Sequence, residues 1–272
     1  MHSIILTIHN KGWLLPRVLD GILNNTLGDY ELISVLDGCT DESEIILNTF
    51  IENNPKIKTK ILYAPDVYET ISNNIGMKSA SGDKVIIVQD DMVVQEKGWN
   101  QRLEKPFKYF DDVFAVTART AHNWIFNPDT QHLGMDEDLD YCWCDILTHV
   151  DHAGRQHSLP RNIFAVRNTV NRGPLMIDHD DLKKLNYLDE VYAPLEMDEH
   201  DLCYRAYKEL NKVVGCYWID YRSDDSWGGT RVSGTTASWH LKASHKNMKI
   251  FYQKHKDLIT NRRLVENRFL EE

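Results

Sequence analysis

Three short segments carry side chains able to do chemistry. Thr7-Ile8-His9-Asn10 joins a hydroxyl, an imidazole and an amide. Asp37-Gly38-Cys39-Thr40-Asp41 sets two carboxylates around a turn, and Gln89-Asp90-Asp91 sets two side by side. A carboxylate can accept a hydrogen bond from a nucleobase N–H, and adjacent carboxylates offer hard oxygen ligands to Mg2+ or Mn2+. Singly, each has a plainer reading, since Asp-Gly is first a turn signal and Asp-Asp is commonly surface charge. What unites them is position: each follows directly on an apolar run.

Those runs predict β-strands at 3–8, 30–36, 57–63, 84–89 and 113–118, most of them rich in β-branched residues. Val85-Ile86-Ile87-Val88 does not alternate, as suits a parallel strand covered on both faces. Between the strands, Leu14, Leu15, Val18, Leu19, Ile22 and Leu23 recur at helical spacing, and 41–50 and 68–80 behave similarly. Alternation with short connections implies right-handed crossovers: an α/β fold, doubly wound, with a mostly parallel central sheet flanked by helices. Such sheets bind ligands beyond the carboxyl ends of their strands, which places function just after Ile8, Leu36 and Val88.

From 119 to 161 the periodicity fades and aromatic, His and acidic residues dominate, a length that implies function or small elements. Helical pattern returns at 180–185 and 198–210, a strand at 213–217, and a last helix at 246–258. Trp227-Gly228-Gly229, in flexible Ser/Thr/Gly surroundings, reads either as a simple turn or as a loop folding an aromatic over a ligand.

Composition bounds the rest. The 272 residues are 42% hydrophobic and 26% charged, ordinary for a globular protein. A net charge of −10 argues against non-specific nucleic-acid binding. From Leu241 to Arg268, however, eight Lys/Arg meet two Asp/Glu, a basic segment on an acidic body. Met1-His2 runs straight into the first strand without a basic start or cleavage site, and no run approaches a membrane helix; the expected compartment is cytoplasmic, with the basic C-terminal tail available for peripheral membrane contact. Five cysteines without a Cys-x-x-Cys pair fit reduced thiols, and Cys142-Trp143-Cys144 alone makes no structural zinc site.

With these blocks in order, the chain resembles the inverting glycosyltransferases of family 2, which have the GT-A fold. Ile5-Leu6-Thr7-Ile8-His9-Asn10, Asp29-Tyr30-Glu31-Leu32-Ile33 and Asp37-Gly38-Cys39-Thr40-Asp41 are similar to the family's N-terminal pattern. Asn73-Asn74-Ile75-Gly76 through Ala80-Ser81-Gly82-Asp83 resembles the next block, and Gln89-Asp90-Asp91 the metal-binding Asp-x-Asp region. Arg172-Gly173-Pro174, Leu188-Asp189-Glu190 and Asp198-Glu199-His200-Asp201-Leu202-Cys203-Tyr204-Arg205 look like acceptor-side blocks, and His240 with Ser244, Phe251 and Lys254 like the C-terminal His block. The likeness covers 3–118 and 171–256.

The resemblance implies one GT-A domain with a nucleotide-sugar-binding half (1–118), an acceptor-side and catalytic half (119–245) and a helical basic tail (246–272). It implies metal-dependent, inverting transfer from a nucleoside-diphosphate sugar, UDP-linked before GDP-linked, to a hydroxyl on a glycan, lipid-linked or protein acceptor. Donor contacts then fall to Thr7, His9, Asn10, Asp37, Asn73, Asp90 and Trp227; the ligands of Mn2+ (or Mg2+) to Asp91 and His240; and the general base to Glu199, with Asp198 the alternative. Asp201 is expected to serve as a helix-start carboxylate complementing the dipole. Three departures mark this chain: Leu36 stands where the family often has a first Asp, Gln89 replaces the first Asp of Asp-x-Asp, and Asp198-Glu199 inverts the usual Glu-Asp order. The contrasting class is a binding module that kept the fold and lost catalysis. A phosphatase lacks its nucleophilic Asp at the end of strand one, and a nucleotidyltransferase its Gly-rich loop there.

Overall fold

The longest apolar runs form the middle of a nine-stranded sheet in the computed structural model, which describes residues 1–136, 159–223, 227 and 237–271. β1 (His2–Ile8) lies between β2 (Tyr30–Asp37) and β4 (Lys84–Gln89), parallel to both, and β3 (Lys58–Ala64) continues parallel beyond β2. Alternate residues of these strands feed different cores. Ile4, Leu6, Ile8, Ile86 and Val88 pack with α1 (Leu15–Asn25), α2 (Ser43–Asn53) and α4 (Trp99–Tyr109); Ile5, Val85 and Ile87 pack on the opposite face with α3 (Tyr68–Lys78), α5 (His179–Lys184) and α6 (Asp198–Leu210). A strand buried on both faces has no solvent side to mark with polar residues, which is why Val85–Val88 reads as a continuous apolar run.

Beyond β4 the sheet changes character. β12 (Leu175–Asp178) inserts antiparallel between β4 and β6 (Val113–Thr117). β13 (Val213–Cys216) runs parallel to β6, β10 (Ile163–Arg167) antiparallel to β13, and β15 (Glu266–Phe269) antiparallel to β10. The order is β15-β10-β13-β6-β12-β4-β1-β2-β3, so the expected mostly parallel sheet is parallel on one side and mixed on the other. Two-residue ladders pair β5 (Val93–Val94) with β14 (Tyr221–Arg222) and β7 (Ala121–His122) with β11 (Thr169–Val170). β8 (Trp124–Asn127) and β9 (His132–Met135) form a hairpin. Strands this short carry no periodicity, which explains the fading pattern after 118; Tyr141, Trp143, His149, His152 and the Cys142-Trp143-Cys144 motif lie outside the described residues.

The C-terminal segment differs from expectation. Its helix, α7 (Ala237–Asn261), starts well before 246, and the chain then returns as β15 to join the central sheet. The distal cations are spent inside the fold. Lys254 sits 2.8 Å from both Asp189 and Asp201, Arg263 2.6 Å from Asp136, and Arg268 grips Asp112 with two nitrogens. Arg262 lies 3.4 Å over the Tyr207 ring. These residues tie the C-terminal segment to the body of the fold. Among the described residues no helix is long and apolar enough to cross a membrane.

Candidate active site

The loops after β1, β2 and β4 are knitted together by the motif residues themselves. The His9 ring nitrogen Nδ1 lies 2.7 Å from the Asp37 carbonyl, and the His9 backbone N–H donates to Asp90 at 2.9 Å. Asn10, at φ +50, accepts from the Thr40 N–H at 2.7 Å, and Asp41 accepts from the Gly12 N–H at 2.8 Å. Gly38 is dictated by geometry: its φ is +63, and a Cβ there would stand 2.6 Å from that of Asp66. Asp37, buried, takes the Val67 and Tyr68 N–H groups at 2.8 Å, one on each carboxylate oxygen, and so ties the start of α3 to the end of β2.

The result is a cleft of about 740 Å³ walled by Thr7, His9, Asp37, Asn73, Asp90 and Asp91, and also by Lys11, Tyr68, Glu69, Gln89 and Arg172. Five of the seven expected donor-contact residues and one of the two expected metal ligands therefore converge. Asn73 Oδ1 is buried without a hydrogen-bond partner, an acceptor available to a ligand. Gln89, where an Asp was expected, accepts from Arg119 Nη1 at 3.1 Å, so its amide braces the wall.

Asp90 is pushed up to about 7, by burial first and by the neighbouring Asp91 charge next, with Lys11 and the His9 N–H opposing. Two adjacent carboxylates under that strain are a donor set suited to a hard divalent cation. His240 does not complete it. Its Nε2 pairs with Glu196 at 2.9 Å, outside the cleft wall, because the loop before α6 brings that carboxylate to the first turn of α7. Among the described residues no cluster of three or more His, Cys, Asp or Glu is placed to hold a metal ion.

Two more of the expected donor-contact residues stand off the cleft wall. Asn10 lies outside the cleft wall and positions the β1 and β2 loops instead. Trp227 stands in a turn, buried, its ring between Arg17 and Arg222 at 4.7 and 5.1 Å. It touches the site only through its carbonyl, which accepts from Lys11 Nζ.

The acidic first turn of α6 lies behind Arg172. One guanidinium nitrogen bonds both Asp198 and Glu199, the latter at 2.8 Å, and reaches Glu69 at 3.8 Å. Burial pushes Asp198 up to about 7. For Glu199 burial works the same way, but Arg172 and the hydrogen bond with Asp198 outweigh it and hold the carboxyl below its usual value. Neither carboxylate is part of the cleft wall, whereas Arg172 is. Asp201 stands in the first turn of α6, as expected of a helix-start carboxylate, but it does more than complement the dipole. Fully buried, it pairs with Arg205 at 2.6 Å, His255 and Lys254 at 2.8 Å and the Tyr192 hydroxyl at 3.1 Å.

Sequence reasoning missed Lys11, Tyr68 and Glu69, and gave Arg172 no role. Tyr68 and Glu69 open the helix after β3, so the strand-end rule, applied to that strand too, would have found them. Tyr68 at φ +66 and the pair Glu196-Met197 at +66 and +69 hold left-handed conformations beside the cleft, each costing about 1–3 kcal/mol.

The family described as Glycosyl transferase family 2 matches residues 3–170. An uncharacterized glycosyltransferase of Haemophilus influenzae is 29% identical over 108 residues, 39% of this chain and 41% of that protein. The minor teichoic acid biosynthesis protein GgaB of Bacillus subtilis is 30% identical over 164 residues, 54% of this chain and 17% of that one. The chain thus spans less than half the length of these curated relatives. Among solved structures, GalNAc-T7 with UDP, GalNAc and Mn2+ superposes at a TM-score of 0.63 with 13% identity, over 95% of this chain and 51% of that one. The mannosyltransferase PcManGT from Pyrobaculum calidifontis, with GDP-Man and Mn2+, does so at 0.57 with 12% identity, over 94% and 64%. At such identities these two establish a shared GT-A-like fold.

Proposed function

The chain belongs to glycosyl transferase family 2, and on that premise we propose that it transfers a sugar from a nucleoside-diphosphate sugar to a hydroxyl of a glycan, lipid-linked or protein acceptor, with inversion at the anomeric carbon. The observation that carries this reading is the convergence of three strand ends on one cleft walled by Thr7, His9, Asp37, Asn73, Asp90 and Asp91.

In this reading Asp37 recognises the base, with UDP favoured and GDP also able to supply N–H donors. Asn73 Oδ1 offers a second acceptor. Asp91, with Asp90 beside it, would hold Mn2+ or Mg2+, and the donor's phosphates would complete the coordination, as is usual for cations bound by one or two carboxylates. Bound there, the cation supplies Lewis-acid stabilisation of the negative charge that develops on the departing diphosphate. The structural relatives that carry Mn2+ with UDP or GDP-Man lend support to that cofactor.

Lys11 adds fixed positive charge to the same wall. Glu199, kept ionised by Arg172, is the base that takes the acceptor hydroxyl proton as that oxygen attacks the anomeric carbon from the face opposite the leaving group. Such a positioned base contributes about 10²–10⁴-fold. Asp198, pushed up to about 7, is the alternative. A second reading, binding without turnover, draws on one observation: both carboxylates lie behind Arg172 and off the cleft wall.

The deciding experiment incubates the protein with Mn2+ and a panel of nucleotide sugars, following binding and release of nucleoside diphosphate. Saturable binding with slow hydrolysis or transfer is the expected result, weakened by Asp91→Ala. Binding with no turnover would select the non-catalytic module, and no binding of any donor would end the donor reading.

A further inference from the structure

The outer face of α7 bears a straight cationic row that the donor site does not use. Trp239, Lys242, Lys246, Lys249 and Gln253 follow at intervals of three and four residues, all exposed, ahead of the break at His255. At 1.5 Å per residue this row is about 21 Å long. Its first member stacks on the cleft, since the Trp239 ring lies 5.1 Å from that of Tyr68, a wall residue. The row therefore begins at the cleft mouth and leads away from it.

Its composition departs from that of an ordinary solvated helix face. Ser238 to Lys256 holds five lysines and no Asp or Glu, in a chain whose acidic residues outnumber its basic ones, 41 to 31. Lys254 turns inward to Asp189 and Asp201, while Lys242, Lys246 and Lys249 meet no carboxylate among the described residues. Like charges three and four residues apart weaken a helix, so the arrangement calls for an external counter-charge. The counter-charge that matches a single file of cations is a linear one. A planar anionic surface would be met by cations spread across the face rather than in one file, and the exposed apolar side chains, Trp239 and Leu241, sit at the cleft end.

We infer that the Lys242–Lys246–Lys249 row is a track for a linear polyanion, a polymer bearing repeated phosphate or carboxylate groups, whose end reaches the cleft past Trp239. Calling that polymer the acceptor rests on the transferase reading above; its binding to the row does not.

The test measures binding of polyphosphate and of polygalacturonate to the whole protein at low and high salt, with neutral dextran and phosphatidylglycerol vesicles alongside. The variants are K242E/K246E/K249E and, with the same change in net charge, K56E/K97E/K183E. Wild type and the control variant should bind at least one polyanion, more weakly as salt rises, and the row variant roughly tenfold or more weakly. Which polymer binds separates phosphate from carboxylate recognition. UDP binding with Mn2+ should be equal in all three proteins. Equal loss in both variants, equal binding by all three, or binding to vesicles but to neither polymer would overturn the track. Polyanion binding that depends on the row, with no nucleotide binding in any protein, would leave the track standing and remove the donor reading.

Discussion

Two acidic regions, one in the cleft wall and one buried behind Arg172, look alike in sequence and do opposite things in the structure. Asp90, Asp91 and Glu69 line the cleft, with Lys11 and Arg172 in the same wall and Arg172 3.8 Å from Glu69. Asp198, Glu199 and Asp201, in the first turn of α6, are buried and met by Arg172, Arg205, Lys254 and His255. The first set faces an opening, whereas the second is a closed network that fixes helices to one another. Charge left unpaired at a surface opening is available for binding; charge paired in the interior is structural unless one member also reaches the substrate.

Glu199 is where that contrast can be broken most sharply. Glu199→Gln should lower kcat by about two to four powers of ten while donor affinity holds, measured by steady-state turnover and nucleotide titration. Unchanged kcat would return Glu199 to the structural class. Asp201→Asn should do the reverse, costing about 3–5 kcal/mol of stability in denaturant unfolding, because it leaves Arg205 facing an uncharged partner in the interior.

A third prediction uses the imidazoles beside this network. His122 and His200, ring centroids 5.0 Å apart, are both held below the ordinary value by burial, His200 at about 3. The unfolded chain therefore binds protons that the folded one excludes. For His200 that stability is full above about 6.5 and falls as pH drops toward about 3, by about 1.4 kcal/mol per pH unit, and His122 acts in the same direction. His200→Gln should flatten that slope in urea titrations run from pH 7 to 4. The smallest effect belongs to the donor-side loops: Asn10→Ala loses the bond to Thr40 and places alanine at φ +50, for about 1–2 kcal/mol. If it cost as much as Asp201→Asn, the loops would be as integral to stability as the α6 network.

The parallel half was legible because its signals are long. Five- to eight-residue apolar runs and amphipathic helices between them fix β1 to β4, β6 and the helices α1 to α3. The other half hides its strands. β12 and β10 are four and five residues long and meet their partners only through distant chain. α4 carries Pro106 in its interior, which reads as a break. Site residues at strand ends were legible by the same logic. Roles that depend on a partner far along the chain were not: nothing near His240 announces Glu196, and nothing near Trp227 announces Arg17 and Arg222. Arg172 stood in a quoted block, yet its grip on Asp198 and Glu199 needs the fold to be seen.

The closing strand has a consequence for how the molecule is made. β10 has β13 on one side and β15 on the other, and β15 is drawn from residues 266–269. During synthesis, at about 5–20 residues per second from the N-terminus, the parallel half can assemble around its contiguous βα units while β10 still shows an open edge. An edge strand is a template for any other extended chain. Once β15 emerges it covers β10 and becomes the edge in its place, a four-residue strand carrying Glu266 and Arg268, short and charged as a safe edge should be, and Arg268, clasping Asp112, is the latch.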